Sequence, residues 1–178
     1  MKSKNKILDY LSTNQLWDKK KTVARNEFIK TGGTTDTNIY FINSGSLRIF
    51  VIDEDEEHTI RFGYQKNIIV SLDSFITEKP SELYIQAIKK TELNIIKKID
   101  FMEIINQASE FQAIWNGILQ DLILQQMERE RDLLTSSPLE RYKRVLARSP
   151  QLFQEIPNKH IASYLRMTPE TLSRLKKL

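Results

Sequence analysis

Cysteine is missing from all 178 residues of this chain. Its absence excludes disulfides, thiolate metal sites and cysteine-held iron–sulfur clusters, and it removes cysteine as a catalytic nucleophile. Long hydrophobic runs are missing too. Nothing approaches the roughly 18–20 apolar residues that a membrane span needs. The opening MKSKNKILDYLSTNQLW has neither the apolar core nor the small-residue cleavage site of a secretory signal. The expected location is therefore the cytoplasm, with no membrane partner. HExxH, the P-loop glycine pattern and GxSxG are all absent, and scattered carboxylates do not make a catalytic pair. An enzyme is not expected, nor a metal site, nor a cofactor.

What is present is an uneven distribution of charge. The chain carries 27 Lys and Arg against 23 Asp and Glu, a net +4. Residues 135–178 hold nine basic against three acidic side chains, or +6, while residues 1–134 sum to −2. A basic excess confined to one small segment points to a polyanion partner.

Hydrophobic periodicity divides the chain. Ile7, Leu8, Leu11 and Leu16 suggest a short helix over residues 5–17. From about Glu27 the period falls to two. Leu47, Ile49 and Val51 share one face of SLRIFVID, and Ile60, Phe62 and Tyr64 share one face of HTIRFGY. NIYFI, LYIQAI and ELNIIKK read as further strands, with turns at Asn43–Gly45, at DEDEE and around Lys89–Thr91. Several short strands joined by turns indicate an all-β sandwich or barrel. From Asp100 the pattern becomes helical for over thirty residues, interrupted only by Gly117. Phe111, Trp115, Ile118 and Leu122 form one apolar row, and Ile114, Leu119, Ile123 and Met127 form a second beside it. A helix with two apolar rows packs against two things. One is its own barrel. The other is expected to be a second copy of the chain, with Phe111, Trp115, Ile118 and Leu122 assigned to the dimer interface; the alternative is a helix buried within one chain.

Thr135-Ser136-Ser137-Pro138 ends that helix. Ser137 can N-cap the next one, with Pro138 in its first turn and Glu140 completing a capping box. QLFQEI (151–156) reads as extended. The chain then finishes IASYLRMTPETLSRLKKL. A helix through Leu165 stops at a short turn, Thr168 can cap a second helix, and Pro169 suits its first position. Leu172 and Leu175 point inward. Glu170, Thr171, Ser173, Arg174, Lys176 and Lys177 are left outside. Two short helices around a tight turn, supported by the helix from Pro138, make a helix-turn-helix whose second member can lie in a DNA major groove. Arg174 has the fork that matches a guanine edge, and Glu170 can accept from a cytosine amino group. Thr168, Thr171 and the free N–H groups at the helix start can hold phosphate, with Asn158, Lys159, Pro169, Ser173, Lys176 and Lys177 completing the DNA-facing set.

With these segments in order, the chain resembles the Crp/Fnr regulators. IASYLRMTPETLSR matches that family's helix-turn-helix, and IYFINSGSLRIF matches its barrel with Gly45 at the turn. The resemblance implies an α+β chain. An N-terminal double-stranded β-helix (jelly-roll-like) barrel would span residues 1–99 as a cyclic-nucleotide-binding-like sensor. A long dimerisation helix would span 100–134, and a C-terminal winged helix-turn-helix 135–178. It makes Glu170 and Arg174 the principal base readers and Thr168 and Thr171 phosphate contacts. Pro169 replaces an arginine common in the family. Arg166 stands at a turn position that is often glycine, at a cost of roughly 1 kcal/mol if that position needs positive φ.

The family's phosphate-binding cassette is altered. By position, Val70 and Ser71 replace its Gly-Glu pair, and Ser81 and Glu82 replace its Arg-Ser pair. A phosphate lacking its cation and facing a carboxylate is poorly held, so cyclic AMP and cyclic GMP are not expected to bind. Phe62, Ser71, Ser81, Glu82 and Tyr84 are candidates to line a pocket for an unknown small-molecule effector. His58 and His160 are expected at the surface, neither placed as a haem ligand. The expected function is a homodimeric, sequence-specific DNA-binding transcriptional regulator. Its partners would be double-stranded DNA, itself, and in principle RNA polymerase. The alternative is an effector-binding or scaffold protein whose helical hairpin contacts another protein.

Overall fold

The computed structural model describes residues 2–177, with side chains from residue 6 onward. The period-two segments form eight antiparallel strands in two four-stranded sheets. One runs β1 (Lys19–Val23), β8 (Thr91–Ile96), β3 (Ile39–Ser44), β6 (Ile68–Ile69), and the other β2 (Phe28–Lys30), β7 (Tyr84–Ala87), β4 (Ser46–Asp53), β5 (Glu56–Tyr64). Val23, Tyr40, Ile42, Leu93 and Ile95 from the first sheet meet Leu47, Ile49, Ile85 and Ala87 from the second in a shared core, which makes the unit barrel-like. Gly45 turns β3 into β4 at φ +91°. A Cβ there would collide with the Thr91 hydroxyl and the Lys90 carbonyl, so the tight turn needs glycine.

The alternating pattern of β4 corresponds to only half of its burial. Ser46 through Phe50 are buried on both faces, because β4 lies between β7 and β5. Its second face is covered by neighbours: Tyr84 stacks on Phe50 at 5.1 Å, Arg48 donates to Gln86 through Nε at 2.9 Å, and Arg48 pairs with Glu57 at 2.6 Å.

One side of the barrel is closed by helices. α1 (Lys2–Thr13) contributes Ile7 and Leu11, α2 (Leu72–Thr77) contributes Phe75, α3 (Lys98–Asn106) contributes Phe101, Ile104 and Ile105, and α4 (Ser109–Leu134) contributes Ile114 and Ile118 to one core. The single helix expected from Asp100 is in fact two. Ala108 is extended at φ −148°, ψ 139° and separates α3 from α4. No proline or glycine forces the break. It lets the apolar residues of both helices reach the same end of the barrel, which one straight rod could not do.

The dimer row assigned from sequence also needs correction. Ile118 is buried, and Phe111, Trp115 and Leu122 are partly buried, all against the chain's own core. Trp115 packs edge-on to Phe101 and Phe75 with ring centroids at 5.2 and 5.9 Å. The 4-3-4 spacing finds an apolar stripe but does not say which surface covers it. The large apolar side chains left exposed on α4 are Ile123, Leu124, Met127, Leu133 and Leu134.

Four helices follow: α5 (Pro138–Arg148), α6 (Pro150–Glu155), α7 (Asn158–Tyr164) and α8 (Pro169–Leu175). Residues 151–156, expected to be extended, are mostly helical. Pro150 starts α6 in its first turn and Leu152 is buried beneath it. Among the described residues, no strand lies beyond β8, so the expected wing is not formed there. Ser137 does cap α5 through the Glu140 N–H at 3.4 Å, but the Glu140 carboxylate pairs with Lys143 instead of closing a capping box. Val145, Leu152, Ile161, Ala162, Leu165 and Leu172 form a core that also takes in Ile88, Phe62 and Tyr64 from the barrel.

Candidate nucleic-acid interface

The turn between α7 and α8 shows why these residues form a hairpin. Arg166 stands at φ +52°. Its N–H bonds the Ser163 carbonyl at 3.1 Å, and the Met167 N–H bonds the Ala162 carbonyl at 3.1 Å. This pair of bonds is a Schellman stop. Glycine is the usual residue there, and the arginine is held in the left-handed region by its surroundings. Arg141 of α5 supplies part of that hold, donating to the Leu165 carbonyl at 3.0 Å and the Arg166 carbonyl at 3.2 Å. The same guanidinium bonds the Thr135 carbonyl at 2.7 Å, tying the hairpin turn to the end of α4. Nothing in the sequence singled out Arg141, because its work is done on backbone oxygens distant in sequence.

Thr168 then caps α8 by accepting from the Thr171 N–H at 3.2 Å, and Pro169 occupies the first turn. Leu172 is fully buried and Leu175 half-buried, which anchors one face of α8. Thr168, Pro169, Glu170, Ser173, Arg174, Lys176 and Lys177 are exposed on the rest, with Thr171 half-buried. Asn158 and Lys159 at the start of α7 are exposed as well, and Lys176 Nζ reaches Asn158 Oδ1 at 2.5 Å. All ten residues in the expected DNA-facing set are thus carried by α7, α8, the turn before α8 and the two residues after it. The Glu170 carboxyl is held below its ordinary pKa by its own N–H and by the Thr168 hydroxyl, so it stays an acceptor at neutral pH.

His160 does not face outward as expected. It is 8% exposed, because residue 160 lies on the side of α7 that packs toward the barrel. Burial lowers its pKa to about 4, with Arg48 and Lys159 adding to the effect. The same helix side carries Ser163, which accepts from the Thr59 N–H at 3.1 Å and donates to the Glu57 carbonyl at 2.8 Å. Tyr164 lies under the Arg129 guanidinium at 3.8 Å and against Phe62 at 5.5 Å. The hairpin therefore rests on β5 and α4 with its polar face turned away.

Of the expected effector residues, the structure brings Ser71 and Ser81 together. An apolar cavity of about 370 Å³ lies between the barrel and α4, lined by Ile39, Ile49, Val70, Trp115 and Ile118 among others. None of Phe62, Ser71, Ser81, Glu82 or Tyr84 lines it. The Ser71 and Ser81 hydroxyls bond each other at 3.3 Å, Glu82 is exposed, Tyr84 stacks on Phe50, and Phe62 borders a second, adjoining cavity. A cation does lie under the cassette segment, one that the sequence reading missed. Buried Lys30 donates to the Thr31, Ser81 and Leu83 carbonyls at 3.0, 2.8 and 2.7 Å. An ammonium has three protons, and all three are taken by the backbone. Among the described residues no group of three or more His, Asp or Glu could hold a metal ion. No described helix is long and apolar enough to cross a membrane.

Comparison with curated protein sequences returns no match. Among solved structures, a CooA variant from Carboxydothermus hydrogenoformans superposes with a TM-score of 0.74 at 17% identity, over 93% of this chain and 77% of that one. A cyclic nucleotide-binding domain-containing protein of Listeria monocytogenes gives 0.73 at 17% identity, over 98% and 89%. A protein described as a transcriptional regulator of the Crp/Fnr family, from Eubacterium rectale, gives 0.66 at 18% identity, over 89% and 76%. At such identities the likeness is one of fold, and its coverage includes the helices after the barrel. The family model for the cyclic nucleotide-binding domain matches residues 20–108, half of the chain and the whole of the barrel. The family model and the paired sheets, glycine turn and helical closure agree: the chain belongs to the cyclic nucleotide-binding domain family.

Proposed function

We propose that this protein is a homodimeric, sequence-specific DNA-binding transcriptional regulator of the Crp/Fnr type that works in the cytoplasm without responding to cyclic nucleotides. The observation that carries the reading is α8. It is anchored by fully buried Leu172, capped by Thr168, and shows Glu170, Ser173, Arg174, Lys176 and Lys177 to solvent. A seven-residue helix gains little from its own hydrogen bonds. Its neighbours hold it in place while most of its surface stays free, as a helix entering a major groove requires. Arg174 and Glu170 are the base readers, and the Thr168 and Thr171 hydroxyls with the lysines serve the backbone.

Dimerisation would use the outer side of α4. Ile123, Met127 and Leu134 recur at spacings of four and seven and are 61%, 56% and 78% exposed, a seam suited to a parallel helix pair. Two such subunits set their α8 helices on half-sites about 10 base pairs apart. Cyclic nucleotides are excluded on the chemistry of the cassette. Its serines satisfy each other, and the one buried cation beneath it has no proton left to donate. Titration with cyclic AMP and cyclic GMP should give no saturable heat.

Selection of bound duplexes from a random pool tests the reading. A near-palindrome should be enriched, with affinity that falls steeply as salt rises. A pool that yields no enriched dyad overturns it. Binding to a protein partner through the hairpin would lack that salt dependence.

A further inference from the structure

A second cavity, of about 490 Å³, lies where the barrel, α4 and the C-terminal helices meet. It adjoins the apolar cavity and shares Ile60, Arg61, Ile68, Ile69, Leu122 and Gln126 with it, while Arg129, Val145, Arg148 and Tyr164 line this cavity and not the apolar one. Its walls combine apolar surface, such as Leu122 and Val145, with three arginines: Arg61, Arg129 and Arg148. No Asp or Glu lines it. Its volume lies within the range that holds small organic ligands.

The state of these arginines says what is missing. Arg148 is neutralised by Asp132 and Glu128. Arg129 is 7% exposed, gives one hydrogen bond to the Thr59 carbonyl at 3.2 Å, and otherwise lies over the Tyr164 ring. The Arg61 side chain, on β5, makes no hydrogen bond or ion pair among the described residues. Burial holds both Arg61 and Arg129 below the ordinary guanidinium value. A half-buried guanidinium with five donors and no acceptor is poorly compensated, and a planar fork of that kind suits a carboxylate or phosphate.

We propose that this junction cavity is a binding site for a small organic anion. Its phosphate or carboxylate head would be held by Arg61 and Arg129, and its apolar body would lie along Leu122 and Val145. The site extends from the apolar cavity toward α5, α6 and α7 and does not depend on the DNA-binding reading. Its walls come from β5, β6, α4, α5 and α6, with Tyr164 of α7 at one side; only a consequence for DNA affinity rests on that reading.

The test uses the full chain without DNA. Calorimetry at constant ionic strength is run with phenyl phosphate, benzoate, inorganic phosphate and neutral phenol. Phenyl phosphate or benzoate should bind saturably, once per chain, with a dissociation constant below about 1 mM and at least tenfold more tightly than phenol. Whichever of the two binds more tightly identifies the head group. Inorganic phosphate, lacking the apolar body, should bind more weakly. Arg61→Gln removes a charge that has no partner, so the fold should survive, and it should weaken the organic anion at least tenfold. Arg129→Gln should do the same and reports on this cavity alone, because Arg129 does not border the apolar one. No saturable binding by either organic anion overturns the proposal, as does unchanged affinity in Arg61→Gln. Unfolding of Arg61→Gln would show that its charge is already compensated and overturns it too. If Arg129→Gln fails to fold, Arg61→Gln decides alone.

Discussion

Arg144 Nε donates to Asp132 Oδ1 at 3.0 Å, across the junction of α4 and α5. Asp132 is fully buried, and Arg148 also bonds its other oxygen. A carboxylate sealed near the end of the long helix thus holds two arginines of the next helix, and so fixes the angle at which the C-terminal helices leave α4. Replacing it by Asn leaves the arginines beside a neutral amide. Removal of one partner from a buried pair costs about 3–5 kcal/mol. The two arginine side chains are about 30% exposed, so water recovers part of this, and Asp132→Asn should lose about 2–4 kcal/mol in urea unfolding. A change below about 0.5 kcal/mol would show that the pair is not a structural pin.

Arg166 offers the opposite outcome. Its left-handed φ of +52° strains an L side chain, and it contributes to the hairpin through its backbone oxygen, which accepts from Arg141. Arg166→Gly keeps that oxygen and removes the strain, so the melting temperature should rise by the equivalent of about 0.5–1 kcal/mol. A fall would mean that the side chain supplies more than the turn costs.

Loss of stability in mild acid should trace to His160. Its imidazole has a pKa of about 4 in the folded chain and about 6.5 when unfolded. Between those values the unfolded chain binds the extra proton. Stability from this group is therefore full above about pH 6.5 and falls as the pH drops toward 4. The total is on the order of 3 kcal/mol. His160→Gln cannot titrate, so the stability gap between it and the parent should narrow from pH 7 to pH 4.5. A gap of constant width would rule this out.

Base reading has a specific signature. Arg174→Ala should weaken the selected duplex by about 1–3 kcal/mol and relax preference at one position in each half-site. Lys177→Ala should weaken all duplexes alike and lower the salt slope by about one. Uniform loss in both variants would reassign Arg174 to the phosphate backbone.

The exposed seam of α4 can be tested without DNA. Ile123→Asp combined with Met127→Asp places two charges where the facing helices would meet. Sedimentation should show a dimer for the parent and a monomer with unchanged helicity for the variant. A parent that remains monomeric at tens of micromolar would remove this seam from consideration.

Local chemistry was legible wherever the cause was local. Thr168 and Pro169 announce a helix start, Ser137 and Pro138 another, and Gly45 a turn, because each acts on backbone within a few residues. The alternating strands and the outward face of α8 were legible for the same reason. The break at Ala108 and the helical state of α6 were not, since no local signal marks the first, and packing of Leu152 decided the second.

Faces were the harder matter. Periodicity marked two apolar rows on the long helix but could not tell which one the barrel covers. Trp115 and Ile118 turned out to be core, and Ile123 and Met127 were left outside. His160, Lys30 and Arg141 tell the same story, each defined by carbonyls or strands tens of residues away. The sequence by itself determined the element types, the basic C-terminal segment and the residues on the free face of α8, because these follow from side-chain spacing and composition. Tertiary structure alone decided which apolar row meets the barrel and where the unpaired arginines gather. Those outcomes depend on how distant surfaces divide the available burial, and no single stretch of chain encodes that division.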